Sequence, residues 1–228
     1  MSDETAQSVG LNTIKLRHSP NCLTIVLDRP EVRNAISTQM LDEMSDALAH
    51  AASQPSVRGI VLTGGVNYFS SGADLAGSNQ VDESWNRLAY LKHRHAFCAT
   101  LESLDKPVLA AIEGFCITAG LELALACDLR IAGRDATFAI TSSRIGTVAG
   151  LGATQRLPRQ VGMANGLEML FSAQRIPADN ALRIGLVNRV VDAGQALDTA
   201  QVLISQLPER PAGEWSLLKH QYRYGSYI

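Results

Sequence analysis

The sequence predicts an α/β fold with a mostly parallel sheet flanked by helices, and three observations predict it. Short β-branched runs alternate with stretches of helical periodicity up to residue 153. Two of those runs, in "RGIVLTGG" and "KPVLAAIEG", are apolar without alternation, the mark of strands covered on both faces. From residue 154 onward the pattern turns largely helical, with no repeat, low-complexity tract or linker to separate a second folding unit. At 228 residues the chain is long enough for one domain with a substantial core. Residues 1–12 read as a flexible polar tail and 13–228 as the single domain, with 154–228 its mainly helical part.

Each element has a local cause. "TIKLRHSPNCLTIVLDRP" holds two short β runs around the turn signal Ser19-Pro20-Asn21 and reads as a hairpin. Ser37 is placed to cap "TQMLDEMSDALAHAA", where Met40, Leu41, Met44, Ala47 and Leu48 recur at helical spacing. "RGIVLTGG" is too short for a helix and ends in two glycines, so it is a buried strand. Then come a long helix, "DESWNRLAYLKHRHAFCATLESLD", a second buried strand, "KPVLAAIEG", a helix, "GLELALA", a strand, "DLRIAG", and the short run "TFAI". The helical part comprises "TQRLPRQVG", "MANGLEMLF", "PADNALRIG" and "AGQALDTAQVLISQL", with a brief strand at "LVNRVV" before the last of them.

Composition narrows the function. A hydrophobic share of 46%, a charged share of 18% and a net charge of −2 describe a globular protein with no bias toward nucleic acid. The start "MSDETAQSVG" has neither the basic nor the apolar region of a signal peptide, and there is no run of about 18 apolar residues, so a cytoplasmic protein free of the membrane is expected. Cys22, Cys98, Cys116 and Cys127 are scattered without a C-x-x-C pair and fit reduced thiols in that compartment. No metal is expected: His93 and His95 lie two apart on a helix, point about 200° from each other and read as surface residues. Gly146, Gly150 and Gly152 match no nucleotide fingerprint, and Ser142 and Ser143 stand in no nucleophile-elbow frame.

Two glycine-marked turns do better. "YFSSGADL" follows the strand at 60–63, and its small residues let a ligand approach the backbone, exposing the Ala73 N–H. In "EGFCITAGLEL" the strand at 108–112 runs into a turn and then a helix opening near residues 118–120, whose first N–H groups have no intrahelical partner. One donor from each turn would suit a developing oxyanion. Glu122 follows within a helix apolar on every face, where a buried carboxylate costs several kcal/mol unless paired or put to use. Burial predicts a raised pKa, as a general base requires.

At these residues the sequence resembles the enoyl-CoA hydratase/isomerase, or crotonase, family. The resemblance spans roughly residues 13–220 and is carried in order by "LDRPEVRNAIS", "YFSSGADL", "KPVLAAIEGFCITAGLELALACDLRIA", "ATFAITSSRIGTVAGLGATQRLPRQVG" and "ADNALRIGLVNRVV". It implies a spiral of β-β-α repeats over 13–153 followed by a helical C-terminal region, shortened here, and assembly as a trimer or dimer of trimers. By position, Ala73 and Ala119 match the oxyanion-hole residues, with Ala119 where glycine is usual, and Glu122 matches the first of two hydratase glutamates. Ser142 stands where the second would be. Arg33, Asn34, Ala35 and Ile36 match the segment along coenzyme A, and Gly72, Asp74, Leu75 and Gly120 flank the two donors at the substrate.

The resemblance thus implies an enoyl-CoA hydratase-like lyase acting on an acyl- or enoyl-CoA thioester with a single glutamate base, weakened or altered by the loss at Ser142. It needs no cofactor beyond the coenzyme A of its substrate. Two other readings stay open: an isomerase or related enolate-forming enzyme, and an acyl-CoA binding protein that has lost its chemistry.

Overall fold

A computed structural model describes residues 10–75 and 84–225. The tail before residue 10 and the expected start of the long helix at Asp82 lie outside the described residues. The hairpin forms as expected: β1 (Ile14–Ser19) and β2 (Cys22–Leu27) pair antiparallel, Ile14 opposite Leu27. Asn21 closes the turn at φ 66°, a left-handed conformation that asparagine tolerates. Ser37 caps α1 (Thr38–Ser53), its hydroxyl accepting the Met40 N–H at 3.1 Å.

β3 (Gly59–Thr63) pairs parallel with β2, β4 (Val108–Ile112) with β3, and β6 (Leu129–Gly133) with β4. β9 (Arg189–Val191) completes a six-stranded sheet in the order β1-β2-β3-β4-β6-β9. A smaller sheet stands beside it, in which β5 (Phe115–Ile117) pairs parallel with β7 (Thr137–Ala139), and β8 (Ile176–Pro177) pairs antiparallel with β7. An isolated bridge between Ser70 and Cys116 extends it. Successive turns of chain therefore give one strand to the large sheet, one extended segment to the small sheet, and then a helix. The helices are α2 (Ser84–Ser103) after β3, α3 (Ala119–Ala126) after β5, and α4 (Ala153–Val161) after β7.

Alternating residues explain the uniformly apolar strands. Ile60, Leu62, Val108, Ala110 and Ile112 join the main core with α1, α2 and α3. Val61, Leu109, Ala111 and Ile131 face the other way and pack on Ala196, Ala200 and Ile204 of α7 (Ala196–Gln206). Both faces are covered, as the lack of alternation predicts. The helical part also holds α5 (Met163–Ser172) and α6 (Ala178–Arg183).

Three elements were not legible as such. β5 lies where the sequence suggested only a turn, because its partners are Thr137–Ala139, some twenty residues on. β8 is two residues long. No element was expected beyond residue 207, yet α8 (Glu214–Tyr224) forms there and docks by charge: Arg223 reaches Glu102 and Asp128 at 2.9 Å each, and Lys219 reaches Asp128 at 2.7 Å. Its polar sequence offers little apolar periodicity to read.

Candidate active site

Helix α3 is buried along its whole length, as an all-round apolar sequence requires, and Glu122 is only 1% exposed. Its Oε1 accepts the N–H of Leu151 at 2.8 Å and of Ala153 at 2.9 Å. Gly152, between them at φ 105°, lets the two amides converge, a conformation that a side chain would strain. The glycine-rich loop that matches no nucleotide motif is thus the clamp that orients the carboxylate. Oε2 accepts no hydrogen bond among the described residues. Burial pushes the Glu122 pKa above the ordinary carboxylate value, against the opposing pull of the Ala153 and Leu151 N–H groups and of Arg94 and Arg156.

The two turns come together beside it. Ile36 donates its N–H to Gly72 O at 2.8 Å and its carbonyl accepts the Asp74 N–H at 3.0 Å, forming a parallel bridge that turns the intervening Ala73 N–H away from Ile36. Ala119 opens α3, so its N–H has no carbonyl one turn back within the helix. Among the described residues neither N–H meets an acceptor. A Cβ added to Gly72 would lie 4.0 Å from Ala119 N, which shows how closely the two turns approach. Between them Thr118 adopts φ 42° and ψ −106°, an outlier for a β-branched residue. It is held there by its N–H to Ala139 O at 2.8 Å, its hydroxyl 2.9 Å from that of Thr141, and the Thr141 N–H donated to that hydroxyl at 3.0 Å.

Ala73, Ala119 and Glu122 line one cavity of about 370 Å³, with Gly72, Leu75, Thr118, Thr141 and Ser142. Ser142 opens a 3₁₀ turn (Ser142–Ile145) that contributes to the lining. Helix α2 adds Tyr90, Leu91 and Arg94 to the lining. None of these three is signalled by the sequence, because "YLKHRH" reads as a solvated helix face. His93 and His95 serve structure instead, His93 Nε2 lying 2.7 Å from Asp42 Oδ1 and His95 Nε2 2.9 Å from Gly150 O.

The remaining expected residues support the turns from behind and do not line the cavity. Asn34 is buried; its side chain donates to Gly64 O and Phe69 O at 3.2 Å each and accepts the Arg29 N–H at 2.9 Å. Ala35 and Ile36 are buried, Arg33 is exposed at φ 52°, and Asp74 pairs with Arg29 at 2.7 Å. Gly120 packs against Ser70. No helix among the described residues is long and apolar enough to cross a membrane, and no group of three or more His, Cys, Asp or Glu among them is placed to hold a metal.

A double-sheet spiral of strands and helices with this cavity at the start of α3 defines a crotonase-fold protein. The sequence profile described as Enoyl-CoA hydratase/isomerase matches residues 17–226, and the chain belongs to that family. It is 35% identical over 198 residues, 86% of this chain and 76% of the relative, to a short-chain-enoyl-CoA hydratase of Clostridium acetobutylicum. It is 32% identical over 207 residues, covering 86% of this chain and 74% of the relative, to a peroxisomal Delta(3,5)-Delta(2,4)-dienoyl-CoA isomerase of Arabidopsis thaliana. Among solved structures, an enoyl-CoA hydratase from Bacillus anthracis superposes with a TM-score of 0.86 at 30% identity, covering 94% of this chain and 83% of that one.

Proposed function

We propose that the protein adds water to a 2-enoyl-CoA thioester, with Glu122 as the base and the N–H groups of Ala73 and Ala119 as the oxyanion hole. The observation that carries this reading is one cavity holding a carboxylate clamped through one oxygen, beside two backbone donors, with neither its other oxygen nor those donors partnered among the described residues. Glu122 takes a proton from water as the oxygen attacks C3, and the C2=C3 electron pair moves toward the thioester oxygen. The Ala73 and Ala119 N–H groups hold the resulting enolate. The enolate then collapses, and C2 takes the proton back from Glu122, so one carboxylate closes the balance of H and OH added across the double bond. Ser142 in place of a second carboxylate leaves the water less firmly held, and turnover accordingly slower. Its apolar walls, Leu75, Leu91, Ile145 and Val148, suit an aliphatic acyl chain. The reading also carries assembly as a homotrimer or dimer of trimers in the cytoplasm.

The test is turnover of a panel of 2-enoyl-CoA esters by wild type and Glu122→Gln. Wild type is expected to form 3-hydroxyacyl-CoA, and the variant to lose about 10²- to 10⁴-fold in kcat. Absence of 3-hydroxyacyl product from every ester would sink the hydratase reading. A second reading, double-bond migration, is favoured by the lone carboxylate itself, since one base suffices to lift a proton and return it. Glu122-dependent deuterium uptake and a moved double bond without added water would identify it. Acyl-CoA binding with no turnover, unaffected by Glu122→Gln, would leave a binding protein.

A further inference from the structure

We infer that the acyl group taken into this cavity carries a carboxylate besides its thioester, which the Arg94 guanidinium binds; this rests on the thioester reading of the site. Arg94 lines the cavity from α2 and is 2% exposed. Among the described residues it makes one hydrogen bond, from Nη1 to the Tyr90 hydroxyl at 2.6 Å, and it lies over that ring at 4.9 Å from the centroid. Nε and Nη2 meet no acceptor among the described residues. No carboxylate among them comes within 4.0 Å.

A guanidinium withdrawn from water and left short of acceptors is costly, and burial lowers the Arg94 pKa accordingly. The other large cations of this molecule are treated differently. Arg130, equally buried, spends its donors on Leu186 O, Ala124 O and Cys127 O. Arg156 takes both oxygens of Glu102 at 2.8 Å. Among the described residues Arg94 makes fewer such bonds than either, and its one partner is a neighbouring tyrosine rather than a carbonyl or a carboxylate. A planar fork presenting two N–H groups matches a carboxylate, which it can take bidentately.

Neutralising Glu122 does not account for Arg94. The two groups sense each other's charge, yet they make no direct contact, and Glu122 already has two backbone donors on Oε1. Tyr90 and Arg94 stand one helical turn apart, so the Tyr90 hydroxyl fixes the guanidinium in the lining of the cavity that Ala73 and Ala119 also line. A substrate with both a thioester and a carboxylate would meet both donor sets within one cavity. Coenzyme A brings its own phosphates, but those are common to every thioester compared and cancel in a ratio.

The experiment measures kcat/KM for trans-2-enedioic mono-CoA thioesters of five and six carbons against the neutral trans-2-enoyl-CoA esters of equal length. Wild type is expected to favour the carboxylated member of a pair by about tenfold to a hundredfold, the range of a charge-assisted hydrogen bond. Arg94→Met should abolish that ratio and Arg94→Lys keep part of it, with circular dichroism confirming that each is folded. A wild-type ratio at or below one overturns the inference, as does a ratio that Arg94→Met leaves in place. A pH–rate profile displaced equally for both substrates at constant ratio would instead make Arg94 a counter-charge of Glu122. If neither substrate turns over, the hydratase reading fails separately. Calorimetry with the saturated dicarboxylic and neutral acyl-CoA pair then decides: an Arg94-dependent preference supports the inference and equal affinities overturn it.

Discussion

Desolvation and hydrogen bonding pull the Glu122 carboxyl in opposite directions, and desolvation wins. Its folded pKa then exceeds its unfolded one, so the folded state holds the extra proton. Stability contributed by the neutral form is complete below the unfolded value of about 4.3 and is lost as pH rises through the folded value. Glu122→Gln removes that loss while its amide oxygen can still accept the Leu151 and Ala153 N–H groups. Urea unfolding should therefore show the variant gaining on wild type between pH 4 and pH 8; an advantage that shrinks with rising pH would contradict the assignment. At Gly120, a Cβ would lie 2.6 Å from Ser70 Cβ and 3.0 Å from Ser70 Oγ. Gly120→Ala should cost about 1–3 kcal/mol by overpacking and, by shifting the start of α3, lower kcat/KM with it. Denaturant midpoints and steady-state rates check both effects. Glu122 and Gly120 were legible in the sequence because a lone carboxylate and a glycine stand out in an apolar helix. Arg94 was not, because charged residues on a helix ordinarily face water.

The start of α3 depends on a backbone conformation that α3 itself does not supply. Thr118 is held at positive φ by the Ala139 carbonyl and by Thr141, both from the chain leaving β7. Thr141→Val removes the hydroxyl partner of Thr118 but keeps the Thr141 N–H. It should cost about 1 kcal/mol and let the Ala119 N–H drift. The signature is a fall in kcat exceeding the change in affinity for a saturated acyl-CoA, read by kinetics beside calorimetry; an affinity loss with kcat intact would refute this positioning role. The sequence showed helix α3 and the strands β4 and β6, each a local pattern. It did not show β5 or the Thr118–Thr141 contact, whose partners lie about twenty residues apart and which only pairing defines.

Across the whole molecule, an ion cluster ties α2, α4 and α8 together. Glu102 receives Arg156 at 2.8 Å and Arg223 at 2.9 Å, and Arg223 continues to Asp128. Burial alone would raise the Glu102 pKa, but the hydrogen bond and charge of Arg156, with Arg223, hold it below the ordinary value. Its contribution is therefore present above the unfolded pKa and lost as pH falls through the folded one. Glu102→Gln leaves two guanidinium groups short of a partner and should cost about 3 kcal/mol near neutral pH, at the low end for a buried pair because the arginines are partly exposed. The penalty should narrow as the pH falls below the usual carboxylate range. Chemical denaturation across pH measures it; a penalty unchanged at low pH would count against the linkage.

The sequence by itself determined the α/β alternation, the doubly covered strands, the two glycine-marked turns and the isolated Glu122, because propensity, periodicity and burial are written within a few residues of one another. Only the tertiary structure decided which donors clamp the Glu122 carboxylate, which residues stand behind the turns rather than in the cavity, and that Arg94 lines the cavity with Nε and Nη2 meeting no acceptor among the described residues. Those outcomes depend on distances between elements remote in the chain, and in particular on the direction in which α2 presents a face that the sequence leaves indistinguishable from a solvated one.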